Sequence, residues 1–232
     1  MEKIIHNIWI GPYKLPDMPK YFIQRSKEIN KEFEHILWTD ENLPTLPDKI
    51  KELCDFHYKT KHFALAADVL RVYLVYEFGG FYLDIDTRPN NSIEELNLEN
   101  YDGILPYHNE YTVANTFFGC TKKRNYIAHL YNLLLKSKSG DNFMPYWFNS
   151  GIKEYFGIKE VHDYFSEECQ IIGRQLLKKW EEQKIRPIPI NGEFKKYYEH
   201  FAMYSWGETN LNYLKEGNIN YMDTIYKVNY KL

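Results

Sequence analysis

Residues 63–86 read FALAADVLRVYLVYEFGGFYLDID, and this stretch decides the fold. From Phe63 to Phe78 nearly every position is apolar, which predicts a helix buried on most of its sides. Its charged residues are Asp68, Arg71 and Glu77. At 100° per residue Asp68 and Arg71 fall on one stripe about 60° apart, and Glu77 faces the opposite way. Gly79 and Gly80 then end the helix, as glycines able to take positive φ do. Phe81 to Asp86 alternates, which predicts a strand with Phe81, Leu83 and Ile85 on one face and Tyr82, Asp84 and Asp86 on the other.

Outward from this block, strands and helices alternate. Ile4 to Ile10 reads as a buried first strand stopped by Gly11-Pro12, Met18 to Asn30 as a helix, Glu34 to Thr39 as a second strand and Leu46 to Lys59 as a helix with Pro47 in its first turn. Short strands are expected at Gly103 to Pro106 and Asn115 to Cys120, and helices at Asn125 to Leu135 and Glu160 to Trp180. Arg186 to Ile190 suits only an edge strand, because its prolines lack ladder donors. His200 to Trp206 reads as a last strand, and Thr87 to Ser92 as a loop. The pattern predicts an α/β fold with a mostly parallel, Rossmann-like central sheet flanked by helices.

Composition narrows the class. The chain has 232 residues, 44% hydrophobic and 17% aromatic, with 21 Tyr, which excludes disordered and collagen-like sequences. A net charge of −3 leaves no electrostatic footprint for nucleic acid. Cys54, Cys120 and Cys169 are odd in number and widely spaced, so neither a disulfide framework nor a thiolate zinc site is indicated, and a reducing compartment is expected. No signal peptide or membrane-spanning segment is evident, which predicts a soluble protein.

Asp84 and Asp86 are the strongest candidates for chemistry. On a strand, side chains at i and i+2 share a face about 6.6 Å apart, a spacing suited to cupping one hard cation and its ligand. Two carboxylates without nearby thiols favour magnesium or manganese over zinc. Asp68 and Arg71 form either an i, i+3 surface salt bridge or a pair facing a polar pocket where they grip hydroxyls. Remaining aromatics such as Trp147, Trp180, Tyr197 and Tyr198 read mainly as core, with acceptor-sugar stacking as the other use.

Lys3 to Gly11, Leu37-Trp38-Thr39-Asp40, and Ala67-Asp68-Val69-Leu70-Arg71 running on through Glu77 to Asp86 together resemble glycosyltransferase family 32. That family holds DXD sugar transferases such as yeast mannosyltransferases and bacterial capsule and O-antigen transferases, and is similar to the core of the clostridial glucosylating toxins. The blocks span residues 3–90. The resemblance implies a GT-A fold in a single domain over 1–232, with a donor-binding half near 1–120 and an acceptor-side, closing part near 121–232. It implies a retaining transferase using a nucleotide-sugar donor, a UDP-sugar or GDP-mannose, and a divalent metal, Mn(II) or Mg(II). Asp86 would bind the metal directly and Asp84 would act through the ribose, the sugar or a metal-bound water. Asp68 and Arg71 would hold donor-sugar hydroxyls. Trp9 would stack on the base, Asn7 and Ile8 would offer backbone groups to its edge, and Tyr82 would meet the ribose.

A weaker echo lies at the C-terminal end. His200 with Ser205-Trp206 matches the family's closing segment, although Tyr204 stands where the family has Gly, so His200 is the expected third metal ligand and Ser205 and Trp206 the diphosphate contacts. Ser150-Gly151-Ile152 corresponds to a Thr-Gly-Pro segment and lacks its Pro.

The expected acceptor is a saccharide or lipid-linked saccharide, used in bacterial surface-polysaccharide synthesis in the cytoplasm, at most peripheral to the membrane. A toxin-like enzyme glycosylating a protein is the alternative. Two other classes use the same residues. A phosphohydrolase would take Asp84 as nucleophile but wants Thr where Arg88 stands. A non-catalytic carbohydrate-binding module would make the acids structural.

Overall fold

The computed structural model describes residues 1–109, 112–141, 143, 145–158, 167–189, 198–200, 218–221 and 224–227. Strands β1 (Ile4–Ile8), β2 (Glu34–Trp38) and β3 (Gly80–Leu83) alternate with helices α1 (Asp17–Ile29), α2 (Asp48–Lys59) and α3 (Phe63–Phe78). β4 (Thr87–Pro89), β5 (Gly103–Asn109), β6 (Thr112–Val113) and β7 (Phe117–Cys120) follow, with a 3₁₀ turn at Ile93–Leu96. Then come α4 (Asn125–Lys136), α5 (Pro145–Tyr155), α6 (Glu167–Glu182), β8 (Ile185–Pro189), β9 (Tyr198–His200), β10 (Asn218–Tyr221) and β11 (Thr224–Lys227).

Seven strands form one sheet in the order β2-β1-β3-β7-β5-β6, with β8 also paired to β5. β1 runs parallel to β2 and β3, and β8 parallel to β5, while β7 lies antiparallel between β3 and β5. β6 is antiparallel to β5, so five strands share one direction and β6 and β7 oppose it. The sheet is thus mostly parallel and flanked by helices, as the alternation predicted. The proline-bearing β8 has β5 as its neighbour in this sheet, the edge position its sequence allows.

Each pleated strand feeds two cores. Phe81 and Leu83 join Ile5, Ile104, Phe117 and Ile188 on one side; Tyr82, Phe118 and Leu105 face α2, α3, α4 and α5 on the other. α3 is the centre of the second core. Its residues Asp68 to Val75 are all buried, so the helix is enclosed as its unbroken apolar run predicted. Gly151, in α5, lies where that helix crosses α4; a Cβ there would come 2.5 Å from Leu130. Cys54 and Cys120 are buried, free thiols.

His6 ties β1 to its neighbours. The Trp38 indole N–H can only donate, and it reaches His6 Nδ1 at 3.0 Å, so the ring proton sits on Nε2 and bonds the Gly79 carbonyl at 2.8 Å. Burial lowers the imidazole pKa to about 4, only partly opposed by the Gly79 bond, and the ring stays neutral near neutral pH. Gly79 and Gly80 take φ of 72° and 84°, as expected at this helix end.

Gly80 has a second reason to be glycine, since a Cβ would lie 2.4 Å from the Ile4 carbonyl oxygen in β1. Gly80→Ala is therefore expected to cost at least about 2 kcal/mol, from left-handed strain plus displacement of β1. Gly157→Ala, at φ 62° with nothing within 4 Å, is expected to cost only about 1 kcal/mol. Thermal unfolding of both variants measures the difference.

Candidate active site

The middle turns of α3 carry Asp68 and Arg71 into the protein, 7% and 8% exposed. Arg71 Nη2 lies 2.9 Å from Asp68 Oδ1 and 3.4 Å from Asp84 Oδ1. Its Nη1 donates to the Asn115 carbonyl at 2.9 Å, and its guanidinium carbon stands 4.6 Å from the centre of the Tyr82 ring. Tyr82 donates its hydroxyl to Asp84, and the Asn115 amide reaches Asp68 Oδ1 at 3.4 Å. The i, i+3 ion pair exists, but inside the protein and joined to a third residue, which excludes the marginal surface bridge. Arg71 Nε is buried with no hydrogen-bond partner among the described residues.

Strand β3 ends at Leu83, and this corrects the expected strand to Asp86. The Asp84 amide donates to the Thr116 carbonyl at 2.8 Å, and the Thr87 amide folds back onto the Asp84 carbonyl at 3.0 Å. Residues 84–87 therefore form a tight turn that redirects the chain into β4. Alternating Asp-Ile-Asp satisfies a strand pattern, yet Asp also favours turns, and the second preference wins where the ladder runs out. The strand-pleat spacing of the two carboxylates no longer applies. Asp86 is 8% exposed and the Asp84 side chain 18%.

The loop expected at Thr87 to Ser92 begins instead with β4, which pairs with β9 in the register Thr87 to His200. The backbone of His200 is thereby set one residue from Asp86. Ser205 and Trp206 lie outside the described residues. Asn7 is buried and donates its amide to the Leu83 carbonyl at 2.6 Å, bracing the strand end just before the turn. Ile8 is a core residue, and both lie in the ladder with β2. Trp9, half-buried, continues that ladder by one bond, its amide reaching the Trp38 carbonyl at 2.9 Å, and its indole donates to the Tyr13 carbonyl at 2.7 Å. The structure thus joins Asp68, Arg71, Tyr82 and Asp84 in direct contact, with Asp86 and Asn7 at the same turn and Trp9 at the end of the neighbouring strand.

Asn115 was not singled out by the sequence. The strand expected from Asn115 to Cys120 begins at Phe117, which leaves Asn115 two residues ahead of β7 and beside the end of the antiparallel β3, a position visible only once that pairing is known. Ser150-Gly151-Ile152 lies within α5, a helix the sequence reading left out.

Electrostatics follow from this crowding. Burial pushes the Asp68 carboxyl up to about 7; Arg71 opposes the shift and Asp84 adds to it. Burial works against the Arg71 charge, but Asp68 and Asp84, with Asp86 further off, hold it above its ordinary value. Asp68 and Asp84 share the Arg71 guanidinium, with Asp86 at the same turn, and these carboxylates are hard oxygen donors, a set that fits Mg(II) or Mn(II). Among the described residues no three His, Cys, Asp or Glu side chains converge to hold a metal.

The Asp68 shift has a definite sign in stability. A carboxyl whose folded pKa lies above its unfolded value stabilises most below pH 4, and that contribution is lost as pH rises through about 7. Asp68→Asn removes this slope. The melting temperature of the wild type relative to the variant is expected to fall between pH 5 and pH 8, measured by calorimetry in matched buffers.

Residues 16–102 match the family described as "Glycosyltransferase sugar-binding region containing DXD motif". The inositol phosphoceramide mannosyltransferase 3 of Schizosaccharomyces pombe is 28% identical over 104 residues, covering 41% of this chain and 27% of that protein. The mannosyl phosphorylinositol ceramide synthase SUR1 of Saccharomyces cerevisiae is 24% identical over 152 residues, covering 64% and 37%. The chain thus spans between a quarter and two-fifths of the length of these relatives. Among solved structures, the PaToxG glycosyltransferase superposes with a TM-score of 0.56 at 16% identity over 79% of each chain, a likeness of fold and of the GT-A kind. The stretch that holds Asp68, Arg71 and the Asp84–Asp86 turn therefore lies inside the part of the chain that matches the DXD-containing sugar-binding region of glycosyltransferases.

Proposed function

We propose that the chain is a metal-dependent, retaining glycosyltransferase that moves a hexose from a nucleoside-diphosphate sugar, preferably a UDP-sugar, to a saccharide acceptor. The observation that carries this is the acidic turn at the carboxyl end of β3, where open α/β sheets take ligands, with a buried Asp68–Arg71 pair beside it. The mannosyltransferase relatives favour GDP-mannose as the other donor and a lipid-linked acceptor. Residues near 1–120 would form the donor half and those near 121–232 the acceptor side of a single domain.

In this reading Asp86, with Asp84, holds Mn(II) or Mg(II), and His200 is a third ligand. When bound, the metal offsets the negative charge that builds on the departing diphosphate. Arg71 turns its buried Nε–H to a donor-sugar hydroxyl, a bond that ends its lack of a partner, and Asp68 accepts from another. Trp9 stacks on the base. Tyr82 keeps Asp84 oriented through its hydroxyl and sits at the ribose; Asn7 and Ile8 support the base-side strand, and Ser205 and Trp206 close on the diphosphate. The anomeric carbon–oxygen bond to the diphosphate breaks as the acceptor oxygen attacks the same face, and the acceptor proton passes to the departing phosphate oxygen. We place the enzyme in bacterial surface-polysaccharide synthesis at the cytoplasmic side of the membrane; no helix among the described residues is long and apolar enough to cross it.

Incubation with manganese and a panel of nucleotide sugars, following release of free nucleoside diphosphate, tests the assignment. Turnover of one donor is expected, and Asp86→Ala should lower it by roughly two orders of magnitude. No turnover of any donor, with Asp86→Ala leaving nucleotide affinity unchanged, removes the assignment. Arg71→Ala should erode discrimination between donor sugars more than affinity for the free nucleoside diphosphate, measured by titration calorimetry with both.

A further inference from the structure

Asp40 lies just past the end of β2, and both its carboxylate oxygens are used. Oδ2 accepts the Gly11 amide at 2.8 Å, and Oδ1 accepts the Tyr58 hydroxyl from the last turn of α2. Gly11 belongs to the segment that carries Trp9 away from β1, and its φ of 97° is open to glycine at little cost. A Cβ on Gly11 would lie 2.8 Å from the Phe63 ring, so the segment rests directly on the start of α3. Phe63 meets Tyr58 edge-on at 5.4 Å between ring centres and Tyr13 edge-on at 6.2 Å. The Trp9 indole closes the circuit by donating to the Tyr13 carbonyl.

Trp9, Gly11, Tyr13, Asp40, Tyr58 and Phe63 therefore form a ring drawn from the ends of two strands and two helices. Packing alone does not fix it. Asp40 and Tyr58 also line a cavity of about 650 Å³ with Leu43, Pro44, Leu46 and Cys54, so space lies open beside the latch. A segment packed on one side and open beside its anchor is held by its hydrogen bonds, here the two on Asp40.

We infer that Asp40 and Tyr58 are positioning residues for the donor nucleotide: their hydrogen bond sets the plane of Trp9 and so the affinity for the base. This rests on the reading of Trp9 as the base platform. Neither residue touches the reacting atoms, so the effect falls on binding and spares the chemical step.

The test uses Tyr58→Phe, which removes one oxygen and keeps the ring on Phe63, in the wild-type background and in Trp9→Ala. Affinities for UDP and for GDP are measured by titration calorimetry with manganese, together with kcat and KM for the donor that turns over. Tyr58→Phe is expected to weaken nucleotide binding and raise KM by about five- to tenfold, with kcat changed less than twofold, and to add nothing once Trp9 is Ala. Asp40→Asn should behave as Tyr58→Phe does. Unchanged affinity in Tyr58→Phe, an equal loss with Trp9 absent, or a fall in kcat at constant KM overturns the latch while leaving the proposed function standing. If the wild type binds neither nucleotide, or Trp9→Ala binds as the wild type does, the base-platform reading fails and takes the latch with it.

Discussion

A buried guanidinium holds the candidate site in place. Arg71 cannot lose its proton, so once α3 sinks into the core the protein must gather acceptors around it: Asp68 one turn earlier, Asp84 from the end of β3 and the Asn115 carbonyl from ahead of β7. Removing any one of them leaves charge stranded in a poorly solvated place. The same acids are the hard oxygen donors that the proposed function assigns to a cation. Stability and ligand chemistry meet in the same few atoms.

Sheet direction explains how these groups come together. With β7 antiparallel to β3, the start of one strand lies against the end of the other, and Asn115 and Thr116 reach the turn that Asp84 opens. A parallel strand there would have presented its opposite end. β1, parallel to β3, brings Asn7 and then Trp9 to the same edge.

The sequence made α3 legible to the residue, because an unbroken apolar run closed by two glycines admits one reading. The strand–helix alternation over residues 4–78 was nearly as clear, with ends displaced by one or two positions. The Asp84–Asp86 turn was not legible, since three alternating residues satisfy both a pleat and a turn, and the choice is made by Thr116, which is distant in sequence. β4 was hidden for the same reason: its pairing partner lies more than a hundred residues on. α5 was missed because its aromatic and glycine residues dilute any helical period, and Gly151 is explained only by the close approach of α4. The side chains of the site were identifiable as a set, while their mutual contacts were not, because each contact joins separate elements.

The neutral imidazole between Trp38 and Gly79 brings an acid sensitivity. A ring whose folded pKa is depressed to about 4 stabilises above its unfolded value near 6.5, and that contribution drains away as pH falls. The buried carboxyl on α3 has the reverse slope over nearly the same interval. The two gradients run against each other through mildly acidic solution. A level profile of stability there would be the sum of two steep and opposed proton affinities, one at a joint of the sheet and one at the floor of the candidate site.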